Sequence, residues 1–208
     1  MLEARQLACL RGERLLFRRL DFTVRHGELL RLIGPNGVGK TSLLRMLCGL
    51  MHIEAGELLW QGQPMAAQRE AFHADLLYIG HAPALHELLT PLENLRFAAS
   101  LMNAPADEAR CSEALVELGL ARQLELPCKL LSQGQRRRVA LARLWLGATQ
   151  KLWILDEPFT ALDVAAVDAL ARRIDHHLSH GGAVIFTSHQ DVNFIHPVRQ
   201  LDLWTHIA

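Results

Sequence analysis

The chain lacks a charge imbalance, a C-x-x-C pair and any apolar run long enough to cross a bilayer, and each absence removes a class of function. Twenty-two basic residues meet 22 acidic ones among 208, for a formal net charge of +0. Nucleic-acid binders usually carry a basic excess, so neutrality argues against that role. No stretch approaches the ~20 apolar residues of a spanning helix. Acidic residues inside the first segment, MLEARQLACLRGERLLF, speak against a secretion signal, so the expected location is the cytoplasm. Cys9, Cys48, Cys111 and Cys128 are scattered and read as reduced, mostly buried thiols rather than a disulfide framework or a zinc site. The adjacent His176 and His177 read as a solvated helix face, and no resident metal cluster is expected beyond an ion carried in with a nucleotide. No internal repeat or low-complexity stretch is present.

What the chain does have is a complete phosphate-binding loop. Residues Gly34, Pro35, Asn36, Gly37, Val38, Gly39, Lys40 and Thr41 read G-x-x-x-x-G-K-[ST]. The apolar run Glu28 to Ile33 precedes it as a strand, and Ser42 to Leu50 follow at helical spacing. In that setting backbone N–H groups turn inward around phosphates, and the helix N-terminus adds partial positive charge. Lys40 would reach the β- and γ-phosphates, with Thr41 on Mg²⁺.

Elsewhere the pattern alternates between strands and helices. Strands are expected at Leu2–Cys9, Leu15–Val24, Gly56–Gln61, Leu76–Ile79, Leu152–Leu155 and Ala183–Thr187. Capping signals open helices at Thr90-Pro91-Leu92-Glu93, at Asp107, at Ser132-Gln133-Gly134-Gln135 and at Asp163. The helix after Ser132 is expected to run unbroken through Leu146. The run Arg136-Arg137-Arg138 reads as its solvated face. The expected fold is α/β, with a helical insert at residues 82–140 between core segments 1–81 and 141–208.

Asp156 and Glu157 follow the LWIL strand directly. A carboxylate there, beside the phosphate loop, can hold Mg²⁺ through water, and Glu157 is the candidate base for the attacking water. His189 follows the next apolar strand and can donate to a γ-phosphate or position the water. A Ser-x-Gly-Gln helix start also offers free N–H groups to a phosphate.

Phosphate loop, Leu131-Ser132-Gln133-Gly134-Gln135, the Asp-Glu pair and the following histidine together resemble the ATP-binding cassette (ABC) ATPase family. The resemblance implies a P-loop NTPase (RecA-like) core with an N-terminal antiparallel β subdomain and an inserted α-helical subdomain. It also implies ATP and Mg²⁺, the latter at Thr41 and Asp156, and two chains paired head to tail. Ser132, Gln133, Gly134 and Gln135 would then act on the partner's nucleotide, and Asp163 would sit in the interface loop. Gln133 stands for the commoner glycine. Arg11 stands where the family has an aromatic that stacks on adenine. Ala82 occupies the place of a glutamine, so His81 or metal-bound water takes over its work, or hydrolysis is slow.

The phrases LLYIGHAP, ALARLWL, LWILDEPFTALD and WQGQP further resemble the ATPase subunits of bacterial cytochrome c maturation complexes. That resemblance implies membrane-spanning partner subunits, a peripheral place on the cytoplasmic side of the inner membrane, and hydrolysis driving release of a haem-loaded chaperone. The alternatives are the ATPase subunit of another exporter and a nucleotide-gated soluble regulator.

Overall fold

The computed structural model describes residues 1–102, 107–147 and 149–206. Strand β1 (Leu2–Arg11) turns back at Gly12 into β2 (Arg14–Val24), followed by β3 (Leu29–Ile33), the phosphate loop and helix α1 (Lys40–Leu47). Next come β4 (Ala55–Trp60), the two-residue β5 (Gln63–Pro64), α2 (Arg69–Asp75) and β6 (Leu76–Ile79). A helical stretch follows: α3 (Pro91–Leu101), α4 (Glu108–Glu117), α5 (Gln133–Leu141) and α6 (Arg143–Leu146). The chain then forms β7 (Leu152–Leu155), α7 (Val164–Ser179), β8 (Ala183–Thr187) and β9 (Val198–Asp202).

These strands make two sheets, an antiparallel one in the order β2-β1-β4-β5 and a parallel one in the order β6-β7-β8-β3-β9. The parallel sheet is buried on both faces, and its alternation sorts side chains between two cores. Leu30, Leu32, Leu152, Ile154, Ala183 and Ile185 pack toward the antiparallel sheet and α1. Trp153, Leu155, Val184 and Phe186 pack toward the helices on the opposite face. Fully burying one such side chain stabilises by roughly 1.5–3 kcal/mol, so both faces of every central strand are anchored.

The expected helix starts form as read. Thr90 and Ser132 each complete a capping box, with Glu93 and Gln135 reaching back to the cap N–H. Asp107 and Asp163 cap α4 and α7 through their carboxylates.

Four readings need correction. The helix after Ser132 is not continuous: it breaks at Ala142, and α6 starts as a separate turn. Helix α2 and strand β9 were not foreseen. The arginine run is not a solvated face, because Arg137 is only 5% exposed. His177 is likewise buried, its ring lying flat on the Trp153 indole at 3.8 Å with an interplanar angle of 3°. Only His176 matches the solvated reading, and it stacks on His180 one turn on.

Burial pulls the His177 imidazole down to about 4, with the Arg173 cation adding to the effect. The folded value lies below the ordinary 6.5, so between these values the unfolded chain binds the proton more readily. This group's contribution is therefore complete above about pH 6.5 and is lost as pH falls toward 4, amounting to roughly 3 kcal/mol. Urea unfolding across that window should show the loss in the native chain and a smaller one in His177→Phe, which keeps an aromatic ring on Trp153. Equal pH slopes in the two proteins would remove His177 from the account.

Candidate functional site

The parallel sheet brings the C-terminal ends of β6, β7, β8 and β3 side by side, where ligands gather in such folds. Gly80 and His81 follow β6, Asp156 and Glu157 follow β7, Ser188 and His189 follow β8, and the phosphate loop follows β3. A cleft of about 400 Å³ lies across these ends. Asn36, Lys40, Thr41, Asp156, Glu157 and His189 all line it, so three separate sequence signals (the phosphate loop, the Asp-Glu pair and the histidine after β8) converge on one space. Gly37, Gly39 and Ser42 complete its floor, and Arg11, Leu16, His81 and Thr160 complete its rim.

The loop's shape depends on its glycines. Gly39, at φ 111, ends the loop against β2, where an added Cβ would stand 3.3 Å from Leu16 and Phe17. Val38 is buried and packs beside Gly34, so it anchors the loop and does not face the cleft. The Lys40 ammonium spans the loop, donating to the carbonyls of Gly34 at 2.7 Å and Pro35 at 3.1 Å.

At the end of β7 the two carboxylates differ. Asp156 is 2% exposed, and its Oδ1 accepts from the Thr187 hydroxyl at 2.8 Å. That hydroxyl in turn accepts from the Glu157 N–H, also at 2.8 Å. Asp156 Oδ2 is buried and accepts from no described residue. A buried carboxylate oxygen left unpaired is costly, and the oxygen-only donor set of Asp156 and Thr41 suits a hard divalent cation.

Glu157 holds a left-handed backbone, φ 50, which a non-glycine residue adopts only when its surroundings enforce it. Here both ends of the residue are held, the N–H by Thr187 and the carbonyl by Arg137 at 2.9 Å. Its carboxylate lies 3.5 Å from His189 Nε2, with the glutamate side chain 18% exposed and the histidine 61%. The carboxylate thus faces the cleft from a sheltered position, and the imidazole covers it from the solvent side.

The residues of the Ser132 motif do not enter this cleft. Ser132 and Gln133 are exposed at the start of α5, and Gln135 is spent on the capping box. Gly134 packs so tightly on the loop before Asp163 that a Cβ there would stand 2.5 Å from the Ala161 carbonyl oxygen. Asp163 caps α7 and pairs with Arg138 at 3.4 Å. Arg11 and His81 do reach the cleft, whereas Ala82 is exposed and lies outside its lining. Sequence reasoning missed Leu16, Thr160, Thr187 and Arg137. The first three carry no local signal, and the arginine was hidden in a charged run.

This arrangement defines a P-loop nucleotide triphosphatase of the cassette type. The family profile described as ABC transporter matches residues 17–160, and the chain belongs to the ABC transporter ATP-binding family. Over 203 residues it is 61% identical to the cytochrome c biogenesis ATP-binding export protein CcmA of Aromatoleum aromaticum, covering 98% of this chain and 95% of that one. The solved ATP-binding subunit of an ABC transporter superposes with a TM-score of 0.80 at 30% identity, over 91% of this chain and 79% of that one. A cassette solved as a dimer in a post-hydrolysis state with ADP and Pi gives 0.78 at 22% identity, over 91% and 88%, and supports the fold. The chain is an ABC-type ATPase. No helix among the described residues is long and apolar enough to cross a membrane.

Proposed function

We propose that this chain is the ATP-hydrolysing subunit of a bacterial ABC export complex serving cytochrome c biogenesis, docked on the cytoplasmic face of the inner membrane through membrane-spanning partners. The observation that carries the reading is the 61% identity to CcmA along nearly the whole chain, joined to a cleft in which every expected catalytic group converges.

In this reading the loop N–H groups and Lys40 bind the triphosphate, and Arg11 and Leu16 meet the base. Mg²⁺ held by Thr41 and Asp156 would neutralise charge on the phosphates. Glu157 accepts the proton of the attacking water, and His189 holds the water against it. Ser132 and Gly134, which do not line their own cleft, serve the nucleotide of a second copy paired head to tail. The core segments are 1–81 and 141–208, and the insert 82–140 carries motion to the membrane subunits. Its loop after β6 presents exposed Leu88 beside a groove lined by Pro83, Leu85, Glu87 and Arg136.

The test has two arms. ATP turnover by the chain should rise when its membrane subunits are added, and a deletion strain should lack c-type cytochromes. A strain with normal cytochromes would assign the chain to another exporter. Turnover indifferent to any membrane subunit would leave a soluble regulator.

A further inference from the structure

Arg137 carries a buried charge that the reaction scheme above does not use. Its guanidinium lies between the ends of β6 and β7. One terminal nitrogen donates to the carbonyls of Gly80 at 2.7 Å and His81 at 3.3 Å. The other donates to the carbonyls of Asp156 at 2.7 Å and Glu157 at 2.9 Å. The Arg137 Nε is buried and donates to no described residue. The cation is therefore held by backbone dipoles. Burial lowers its pKa from the ordinary arginine value, and the nearby Asp156 partly offsets this. A buried charge is costly, and an apolar residue of similar size often gives a more stable core. A planar fork does what an apolar side chain cannot: it fixes two loops at a set separation.

We propose that Arg137 is the positioning residue of the hydrolytic centre, locking the Glu157 peptide in its left-handed conformation and His81 at the rim of the cleft. The proposal rests on Glu157 being the base. Three observations converge on it. The Glu157 backbone is strained, and the Arg137 bond is the shorter of the two its carbonyl accepts, the Thr160 N–H lying at 3.3 Å. The loop after β6 has alanine at 82, and its position is set through its carbonyls by this same guanidinium. Finally, Arg137 projects from α5, whose first residues include Ser132 and Gly134. A displacement of that helix start is thereby transmitted to both catalytic loops together.

The test uses the assembled complex with Arg137→Lys and Arg137→Gln. A lysine offers one point of attachment and cannot bridge both carbonyl pairs. Loss of alignment at the base should lower kcat by about tenfold or more in both variants. KM for ATP should stay within about twofold, since the phosphate loop with Lys40 and Thr41 makes no contact with Arg137. Methylguanidinium added to Arg137→Ala should restore part of the turnover. Wild-type kcat in both variants would overturn the proposal. So would a parallel fall of kcat, ATP affinity and melting temperature, which marks a merely structural role. Glu157→Gln assayed alongside separates the two claims: an active Glu157→Gln removes the base, whereas an inactive one beside unaffected Arg137 variants removes only the positioning role.

Discussion

Glu157→Gln is expected to lower ATP turnover by ~10²–10⁴-fold, the span general acid–base catalysis commonly contributes. Glutamine has the same shape and can still orient a water, but it cannot accept a proton. The backbone that aims the side chain is fixed independently by Thr187 and Arg137, so the substitution should change chemistry and leave geometry intact. Asn36, Lys40 and Thr41 stand on the phosphate loop and the start of α1, apart from the end of β7, and nucleotide affinity should remain within a few-fold of the wild-type value. The variant should then hold two chains closed around unhydrolysed ATP. Single-turnover assays with labelled ATP, combined with size-exclusion chromatography, test both halves. Sustained turnover would transfer the base role to another group, with His189 the nearest candidate.

Lys40→Ala should act on binding instead. The ammonium now rests on two carbonyls of the loop, those of Gly34 and Pro35, and so already stands over the space that the loop encloses. Hydrogen bonds to a charged partner contribute about 1.5–3 kcal/mol each. Losing about 3 kcal/mol corresponds to a weakening of roughly 150-fold in Kd. Titration with a fluorescent ATP analogue measures it directly. An unchanged Kd would place the triphosphate outside the loop.

The sequence was most informative where structure is decided locally. The phosphate loop, the capping boxes at Thr90 and Ser132 and the apolar strands β7 and β8 depend on residues within a few positions of one another. Each was readable for that reason. Strand β9 was not, because Val198–Asp202 is an edge strand with mostly half-exposed or exposed residues and pairs only with β3. Helix α2 buries a single side chain, Phe72, and gives no amphipathic stripe to detect. The break at Ala142 is set by packing, since Leu141 and Leu144 sit in the core either side of it. The burial of His177 and Arg137 depends on partners far away in sequence: Trp153 for one, Gly80 for the other. Nothing in a run of arginines or a pair of histidines announces such partners. The convergence of carboxylate, histidine and lysine was foreseen as chemistry. Its realisation needed the strand order of the parallel sheet, which places β3 beside β8 and β8 beside β7.

The acceptors of the Arg137 fork are all carbonyl oxygens, groups that every amino acid possesses. A clasp of this kind makes no demand on the identity of the residues it grips. The side chains at 81 and 82 therefore play no part in the grip, and the alanine at 82 leaves it intact. The arginine enjoys no such freedom, since neither lysine nor glutamine can reach the same set of oxygens. One contact thus asks nothing of the side chains it grips and everything of a single helix position.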